Sequence, residues 1–327
     1  MHIAIIGGAS TIGSTTANAI TAYDPSIDIT LIDINEDAAW GHAKDVTHGN
    51  FHHSDAPKFA PNRSGEKPTL GTIRGIHTDA TADLDPDIAI VAAGIPQPKD
   101  SAGRGDRVKD LDKVRTVCDS ISSQLADFGP LPSIVVTNPI DGVTNYLWSK
   151  LGWSREYFIG YALSESARAA DAIAQVKDVH PNRVYCPTMG EHGENVVLVF
   201  SKATIDGEPV ELTDSEKAEI REYVLDIPFD IADKRGVQDS SRWVTSAGIL
   251  RILRAMFEEE NDRPLCLSTP LSGEYGFSNG CLSVPFTLTN SGVEEIIEWE
   301  ISSEEMEELS AAHTEVLDAI EELQQNS

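Results

Sequence analysis

Hydrophobic positions in the first half of the chain gather into short strand-like segments separated by stretches of helical period. Residues 2–6 (His-Ile-Ala-Ile-Ile) form the first run, Ile27–Ile32 the second, Ile88–Ala93 a third and Ser133–Thr137 a fourth. The continuously apolar stretches Ile3–Ile6 and Ile88–Ala93 are the mark of strands covered on both faces, the situation of a parallel sheet flanked by helices. Helical patterns follow them, over Ser14–Ala22 and about Val108–Phe128. Near Asp141 the rhythm changes to helices and antiparallel-looking strands, Val196–Ser201, Ala203–Ile205 and Val284–Thr289, and the chain closes with a long helix over Ser303–Gln324. The pattern predicts an α/β fold, a doubly wound parallel sheet over residues 1–141, followed by an α+β domain over residues 142–327.

The end of the first strand adds chemistry to that outline. It runs directly into Gly7-Gly8-Ala9-Ser10-Thr11-Ile12-Gly13 and then a helix. Glycines at a strand-to-helix turn let the backbone approach a pyrophosphate, whose charge rests on amides at the helix N-terminus. The second strand ends at Asp33, where a carboxylate binds adenosine ribose hydroxyls and repels a 2′-phosphate, so the expected cofactor is NAD rather than NADP. The first unit therefore reads as an NAD-binding Rossmann domain.

Composition narrows the function further. The chain has 327 residues, with 53 acidic and 25 basic side chains and a net charge of −28. That charge excludes nucleic acid and anionic membranes as natural partners. Acid spread over the whole chain, and dense between Glu294 and Glu322, fits a protein bathed in concentrated salt, whose ions screen the self-repulsion. Met1-His2-Ile3 leads straight into the first strand, no apolar run reaches membrane length, and Cys118, Cys186, Cys266 and Cys281 are scattered without CxxC spacing. The expectation is a cytoplasmic protein with reduced thiols. His42, His48, His52 and His53 fit no strong ligand spacing, and no metal is expected.

The second half holds the candidate reaction chemistry. Gly190-Glu191-His192-Gly193 supplies a histidine, able to take an alcohol proton and return it near neutral pH. Ser166-Ala167-Arg168 supplies an arginine, a two-pronged donor for a carboxylate. Thr137-Asn138-Pro139 supplies an amide at a strand end, where ligands of open α/β sheets collect, as does Ala93-Gly94-Ile95-Pro96. Together these are the groups needed to remove a hydride from a small 2-hydroxy acid. Residues 97–107 form a polar loop beside the cleft, placed as a lid.

These segments, with Gly41–Asp45, His48-Gly49, Gly273-Glu274-Tyr275-Gly276 and Gly292–Ile296, fall in one order, in which the chain resembles the lactate/malate dehydrogenase family along nearly its whole length. The likeness is greatest to halophilic archaeal malate dehydrogenases. The resemblance implies an NAD-dependent L-2-hydroxy acid dehydrogenase, in which His192 is the acid/base and Arg168 binds the substrate carboxylate. Asn138 contacts substrate and nicotinamide. Glu165 takes the place of the aspartate that orients the histidine, and Arg107 matches the arginine that polarises the substrate carbonyl. Gly7, Gly8, Ser10, Thr11, Ile12, Gly13, Asp33, Ala93 and Gly94 line the cofactor. A homo-oligomer, a tetramer in preference to a dimer, is also implied.

The sequence departs from the family pattern at several places. Ser10 replaces the middle glycine of the turn, Glu165 is one methylene longer than aspartate, and Val114 stands where the lid helix carries an asparagine. The loop 98–106 is long, so Arg104 competes with Arg107 for the lid role. Ser241 lies near the position of a threonine that faces the substrate side chain. Gln97 occupies the position at which malate enzymes of the family carry an arginine and lactate enzymes a glutamine. Overall likeness thus points to malate, and Gln97 to lactate or another monocarboxylate.

Two alternatives compete with this reading. Tyr146 and Lys150 reproduce the Tyr-x-x-x-Lys spacing of a short-chain dehydrogenase, in which the lysine lowers the tyrosine pKa. Ser10, Glu165 and Val114 together allow a non-catalytic NAD-binding paralogue with a decayed site.

Overall fold

The computed structural model describes residues 1–54, 69–94, 111–236, 241–258 and 263–324. Its first six strands are β1 (His2–Ile6), β2 (Asp28–Asp33), β3 (Ile73–His77), β4 (Ile88–Val91), β5 (Ser133–Val135) and β6 (Phe158–Gly160), all paired in parallel in the order β3-β2-β1-β4-β5-β6. The helices beside them are α1 (Thr11–Tyr23), α2 (Glu36–Ser54), α3 (Leu111–Phe128) and α4 (Ile140–Leu151). Ile3, Ala4, Ile5 and Ile6 of β1, and Ile88 to Val91 of β4, are buried to within about one per cent, as strands covered on both faces must be. The strand order reverses between β1 and β4, and the crevice outside their C-terminal ends is the ligand position of such sheets.

The parallel ladder continues one strand past Asp141, because α4 serves as the crossover that brings β6 alongside β5. Beyond β6 the pairing turns antiparallel. The remaining strands are β7 (Val184–Tyr185), β8 (Thr188–Gly190), β9 (Val196–Leu198), β10 (Thr204–Ile205), β11 (Glu208–Pro209), β12 (Leu265–Pro270), β13 (Cys281–Thr289) and β14 (Gly292–Ile296). Ser268 of β12 pairs with Gly160 of β6, so β12, β13, β8 and β9 extend the same sheet, with β14 on β13. A small separate sheet has the order β11-β10-β7. The helices of this half are α5 (Leu163–Lys177), α6 (Asp214–Arg235), α7 (Arg242–Phe257) and α8 (Ser303–Gln324). One apolar core runs through both halves, joining Ile3 and Ile5 to Ile249, Leu282, Val284, Phe286 and Val316.

Side chains near the crevice account for where the elements end. The first helix begins at Thr11, ahead of the expected Ser14, because Ser10 caps it: its Oγ accepts the Gly13 amide at 2.9 Å. The fourth strand of the sheet stops at Val91 and the fifth at Val135, and the Thr137 hydroxyl ties the two chains together beyond them by donating to Ala93 O at 2.9 Å. The strand expected over Val196–Ser201 ends at Leu198 and passes into a short 3-10 turn, Phe200–Lys202. The C-terminal helix has the bounds read from the sequence. Among the described residues no helix is long and apolar enough to cross a membrane, and all four cysteines are buried and free.

Candidate active site

The loops that leave β1 and β4 meet over the crevice. Gly7 adopts φ +80, and a Cβ there would lie 2.3 Å from the Ala93 backbone, so only glycine lets the two loops touch. A Cβ at Gly8 would lie 2.6 Å from the Leu31 side chain, and one at Gly13 would lie 2.4 Å from Gly7 O. The turn is thereby pressed onto the sheet. Within α1 the amides of Thr11 and Ile12 have no helical carbonyl to bond, which leaves them for an anion. Gly94 is exposed, and among the described residues nothing lies within 4 Å of a would-be Cβ there.

Asp33 closes the other side of this cradle. Its Oδ2 accepts the Ala9 amide at 3.0 Å and its Oδ1 the Asn35 amide at 3.0 Å. A carboxylate has acceptor sites for about four hydrogen bonds, so capacity remains for a ribose diol. Glycine turn, free helix amides and a terminal carboxylate fit a dinucleotide.

Ser10 raises no conformational conflict. Its φ of −67 is ordinary for any residue, so the position does not need glycine; the left-handed residue of the turn is Gly7. The Ser10 hydroxyl also donates to Ala92 O at 2.9 Å and so pins the glycine turn to the end of β4. Val114, buried in the core with Cys118, Ile121, Val143 and Leu147, is a packing residue.

The histidine is delivered by a hairpin. β8 and β9 pair antiparallel, and residues 191–195 connect them. Gly190 has φ +85, and a Cβ there would press within 2.9 Å of Asn195 O, so the turn requires glycine. Glu191 braces the hairpin by accepting the Asn195 amide at 3.1 Å and its side-chain amide at 2.6 Å. The imidazole projects from this turn, edge-on to the Tyr161 ring at 6.3 Å.

Helix α5 supplies the facing charges. Glu165, in its first turn, and Arg168 lie on one face at i and i+3. Glu165 Oε1 accepts Arg168 Nη1 at 2.9 Å, and Glu165 Oε2 lies 3.0 Å from His192 Nδ1. Among the described residues neither Oε2 nor Nδ1 makes a hydrogen bond, so the two meet as an ion pair. The methylene by which glutamate exceeds aspartate thus spans two cations at once. Burial opposes charge on both members of the pair, yet the mutual attraction of carboxylate and imidazolium prevails. His192 is held above the ordinary imidazole value and Glu165 below the ordinary carboxyl value.

Asn138, exposed, lies three residues past the end of β5, and Pro139 is the N-cap of α4. Ser241 precedes α7, with its carbonyl accepting from the Thr245 hydroxyl at 2.9 Å. Gln97, Arg104 and Arg107 lie outside the described residues, as do Ile95 and Pro96. Tyr146 and Lys150 do not form a short-chain dehydrogenase pair. The Tyr146 hydroxyl donates to Asp119 at 2.8 Å, Lys150 pairs with the same carboxylate at 3.0 Å, and burial with that anion pushes Tyr146 up to about 12, the opposite of activation.

Family matches agree with this geometry. The lactate/malate dehydrogenase NAD binding domain family matches residues 1–160, and the lactate/malate dehydrogenase alpha/beta C-terminal domain family matches residues 165–326. The chain belongs to the lactate/malate dehydrogenase family. It is 26% identical over 325 residues to the malate dehydrogenase of Haloferax volcanii, covering 98% of this chain and 99% of that protein. It is 30% identical over 323 residues to L-lactate dehydrogenase 2 of Peribacillus psychrosaccharolyticus, covering 96% and 93%. The solved structure of the malate dehydrogenase from Aeropyrum pernix superposes with a TM-score of 0.80 at 25% identity, over 98% of this chain and 97% of that one. As a member of the family, this protein is an NAD-dependent oxidoreductase acting on the CH–OH group of 2-hydroxy acids.

One residue beside the site was not singled out in the sequence for chemistry. Asp141, in the first turn of α4, accepts the His192 main-chain amide on Oδ2 at 2.8 Å. Its signal was present as an acid two residues after Asn138-Pro139, at the head of a run that is otherwise largely uncharged.

Proposed function

We propose that His192 is the proton carrier of a reversible 2-oxo acid reductase, that Arg168 holds the substrate's C1 carboxylate and that Glu165 orients the imidazole. The observation that carries this reading is the Glu165 bridge. One buried carboxylate holds the proton carrier and the carboxylate-binding cation a fixed distance apart, as required for a substrate whose reacting carbon is bonded to its carboxylate. NAD, when bound, supplies or accepts the hydride. In the reducing direction imidazolium His192 gives its proton to the carbonyl oxygen and recovers one from solvent; in the oxidising direction it takes the hydroxyl proton. Asn138 contacts substrate and nicotinamide at the strand end. Gly7, Gly8, Ser10, Thr11, Ile12, Gly13, Ala93 and Gly94 line the pyrophosphate and nicotinamide side, and Asp33 takes the ribose. NADH is accordingly preferred over NADPH by kcat/KM, and equal use of the two would refute the Asp33 assignment.

The lid supplies Arg107 to polarise the carbonyl, with Gln97, Arg104 and Ser241 around the substrate side chain. Gln97 favours a monocarboxylate, because a second carboxylate facing an amide in place of a guanidinium loses a charge-assisted pair. Similarity to halophilic archaeal malate dehydrogenases favours a dicarboxylate, with Arg104 as the second cation. Paired kinetics decide between them. If Gln97 faces the side chain, Gln97→Arg raises kcat/KM for oxaloacetate relative to pyruvate by about tenfold or more, one desolvated charge pair being worth at least ~1.4 kcal/mol, and Arg104→Ala affects both substrates little. If Arg104 holds the second carboxylate, Arg104→Ala abolishes oxaloacetate reduction and spares pyruvate. Neither substitution altering the ratio would remove both residues from the pocket. We further infer a homotetramer in a saline cytoplasm, with the cofactor and substrate units dividing at residues 141–142.

A further inference from the structure

We propose that Asp141 is a positioning residue of the reaction, gripping the main chain of the histidine turn and setting the electrostatic environment of its imidazole. This rests on the reading of His192 as the proton carrier. Three features of the contact support it.

The first is where the two ends of the bond lie. Asp141 stands three residues after Asn138, so one short segment presents the exposed amide to the crevice and, through Asp141, holds the amide nitrogen of His192. The histidine is therefore fastened at two points: at Nδ1 by Glu165 of α5, and at its backbone by Asp141 of α4. With one fastening removed, the imidazole retains freedom to pivot about the other. A displacement of an angstrom at a proton carrier is enough to cost about a hundredfold in rate.

The second is that the acceptor is a carboxylate. One backbone amide needs only a neutral oxygen, and an asparagine would serve. Asp141 is nevertheless buried, and among the described residues its Oδ1 makes no hydrogen bond of good geometry, an arrangement that a purely structural contact gives no reason to keep. The Ser268 hydroxyl on β12 is the neighbour that offsets part of the burial, without reaching the geometry of a full hydrogen bond.

The third is the charge that the carboxylate brings. The titratable groups facing Asp141 are His192 and Glu191 of the hairpin and Cys281 of β13. Burial pushes Asp141 up to about 6; in its ionised form it adds to the negative field at the imidazole, and its protonation in acid withdraws that field.

The test compares Asp141→Asn and Asp141→Ala in the full-length protein in concentrated salt. Asn keeps an acceptor oxygen and removes the charge; Ala removes both. Two readouts are taken across pH: kcat for reduction of a 2-oxo acid, and carbethoxylation of His192, read by mass spectrometry, which reports its neutral form without any substrate. For Asp141→Asn the descending limb of kcat and the onset of carbethoxylation both move to lower pH, with kcat on the plateau kept within a few-fold. For Asp141→Ala the plateau kcat falls by about tenfold or more with NADH affinity unchanged. An unmoved carbethoxylation profile in Asp141→Asn overturns the electrostatic part. Preserved kcat in a folded Asp141→Ala overturns the positioning part, and if that variant does not fold, loss of the plateau kcat in Asp141→Asn overturns it instead. Absence of 2-oxo acid turnover in the unaltered enzyme would defeat the functional reading alone, because carbethoxylation still reports the contact.

Discussion

Replacement of His192 by glutamine lowers kcat for 2-oxo acid reduction by about 10²–10⁴-fold, the range spanned by loss of a general acid, while NADH binding is retained. Glutamine keeps polarity and much of the volume but cannot carry a proton on and off near neutral pH. The glycine turn and Asp33 lie on the other side of the crevice and are untouched, so cofactor fluorescence titration separates the two effects. The same residue sets the pH dependence. Reduction requires imidazolium, and because His192 is held above the ordinary imidazole value, reduction persists through that value and declines only as pH rises past the elevated one. Glu165→Gln removes the countercharge, so the decline moves to lower pH. Loss of NADH binding together with turnover in His192→Gln would show that the histidine acts on the fold and not on the proton.

Transfer from concentrated salt to dilute buffer is expected to inactivate the protein and to separate the subunits of the homotetramer proposed above. The net charge of −28 is distributed over a chain of 327 residues, so like charges face one another across any contact between copies. Screening length shrinks from about 30 Å at 0.01 M salt to about 3 Å at 1 M, so repulsion that concentrated salt confines to neighbouring side chains extends across whole subunits in dilute buffer. Light scattering and activity measured down a salt series follow the two events together. A particle of unchanged mass with full activity in dilute buffer would contradict the account of the acidic surface.

The parts of this molecule that were legible in the sequence share a cause. β1 and β4 announce themselves because strands buried on both faces are continuously apolar, β2 because three isoleucines and a leucine crowd residues 27–32, and the C-terminal helix because its apolar positions keep one period from Ser303 to Gln324. The glycine turn was legible because close backbone approach admits no other residue at Gly7. Short elements were less so. β6 and β8 hold three residues each, too few to show a period, and they are strands because tertiary pairing makes them so. At the site, residue type and order pointed to His192, Arg168 and Glu165, which the fold brings together. What they could not reveal was that the longer acid reaches two cations at once, since that depends on the distance between α5 and the hairpin. Asp141 escaped for a similar reason: its bond to His192 joins residues 51 positions apart. Ser10 and Glu165, read as departures, have clear roles in the fold, one as a helix cap and one as a bridge.

The central claim, an NAD-dependent 2-hydroxy acid dehydrogenase working through His192 and Arg168, is tested most directly by one assay. NADH and NADPH oxidation are followed in concentrated salt against pyruvate, oxaloacetate and close 2-oxo acid analogues, for the unaltered protein and for His192→Gln. The account predicts substrate-dependent oxidation of NADH, preferred over NADPH, with at least one of these acids, and its collapse in His192→Gln. No substrate-dependent oxidation with any of them, or an undiminished rate in His192→Gln, would contradict it.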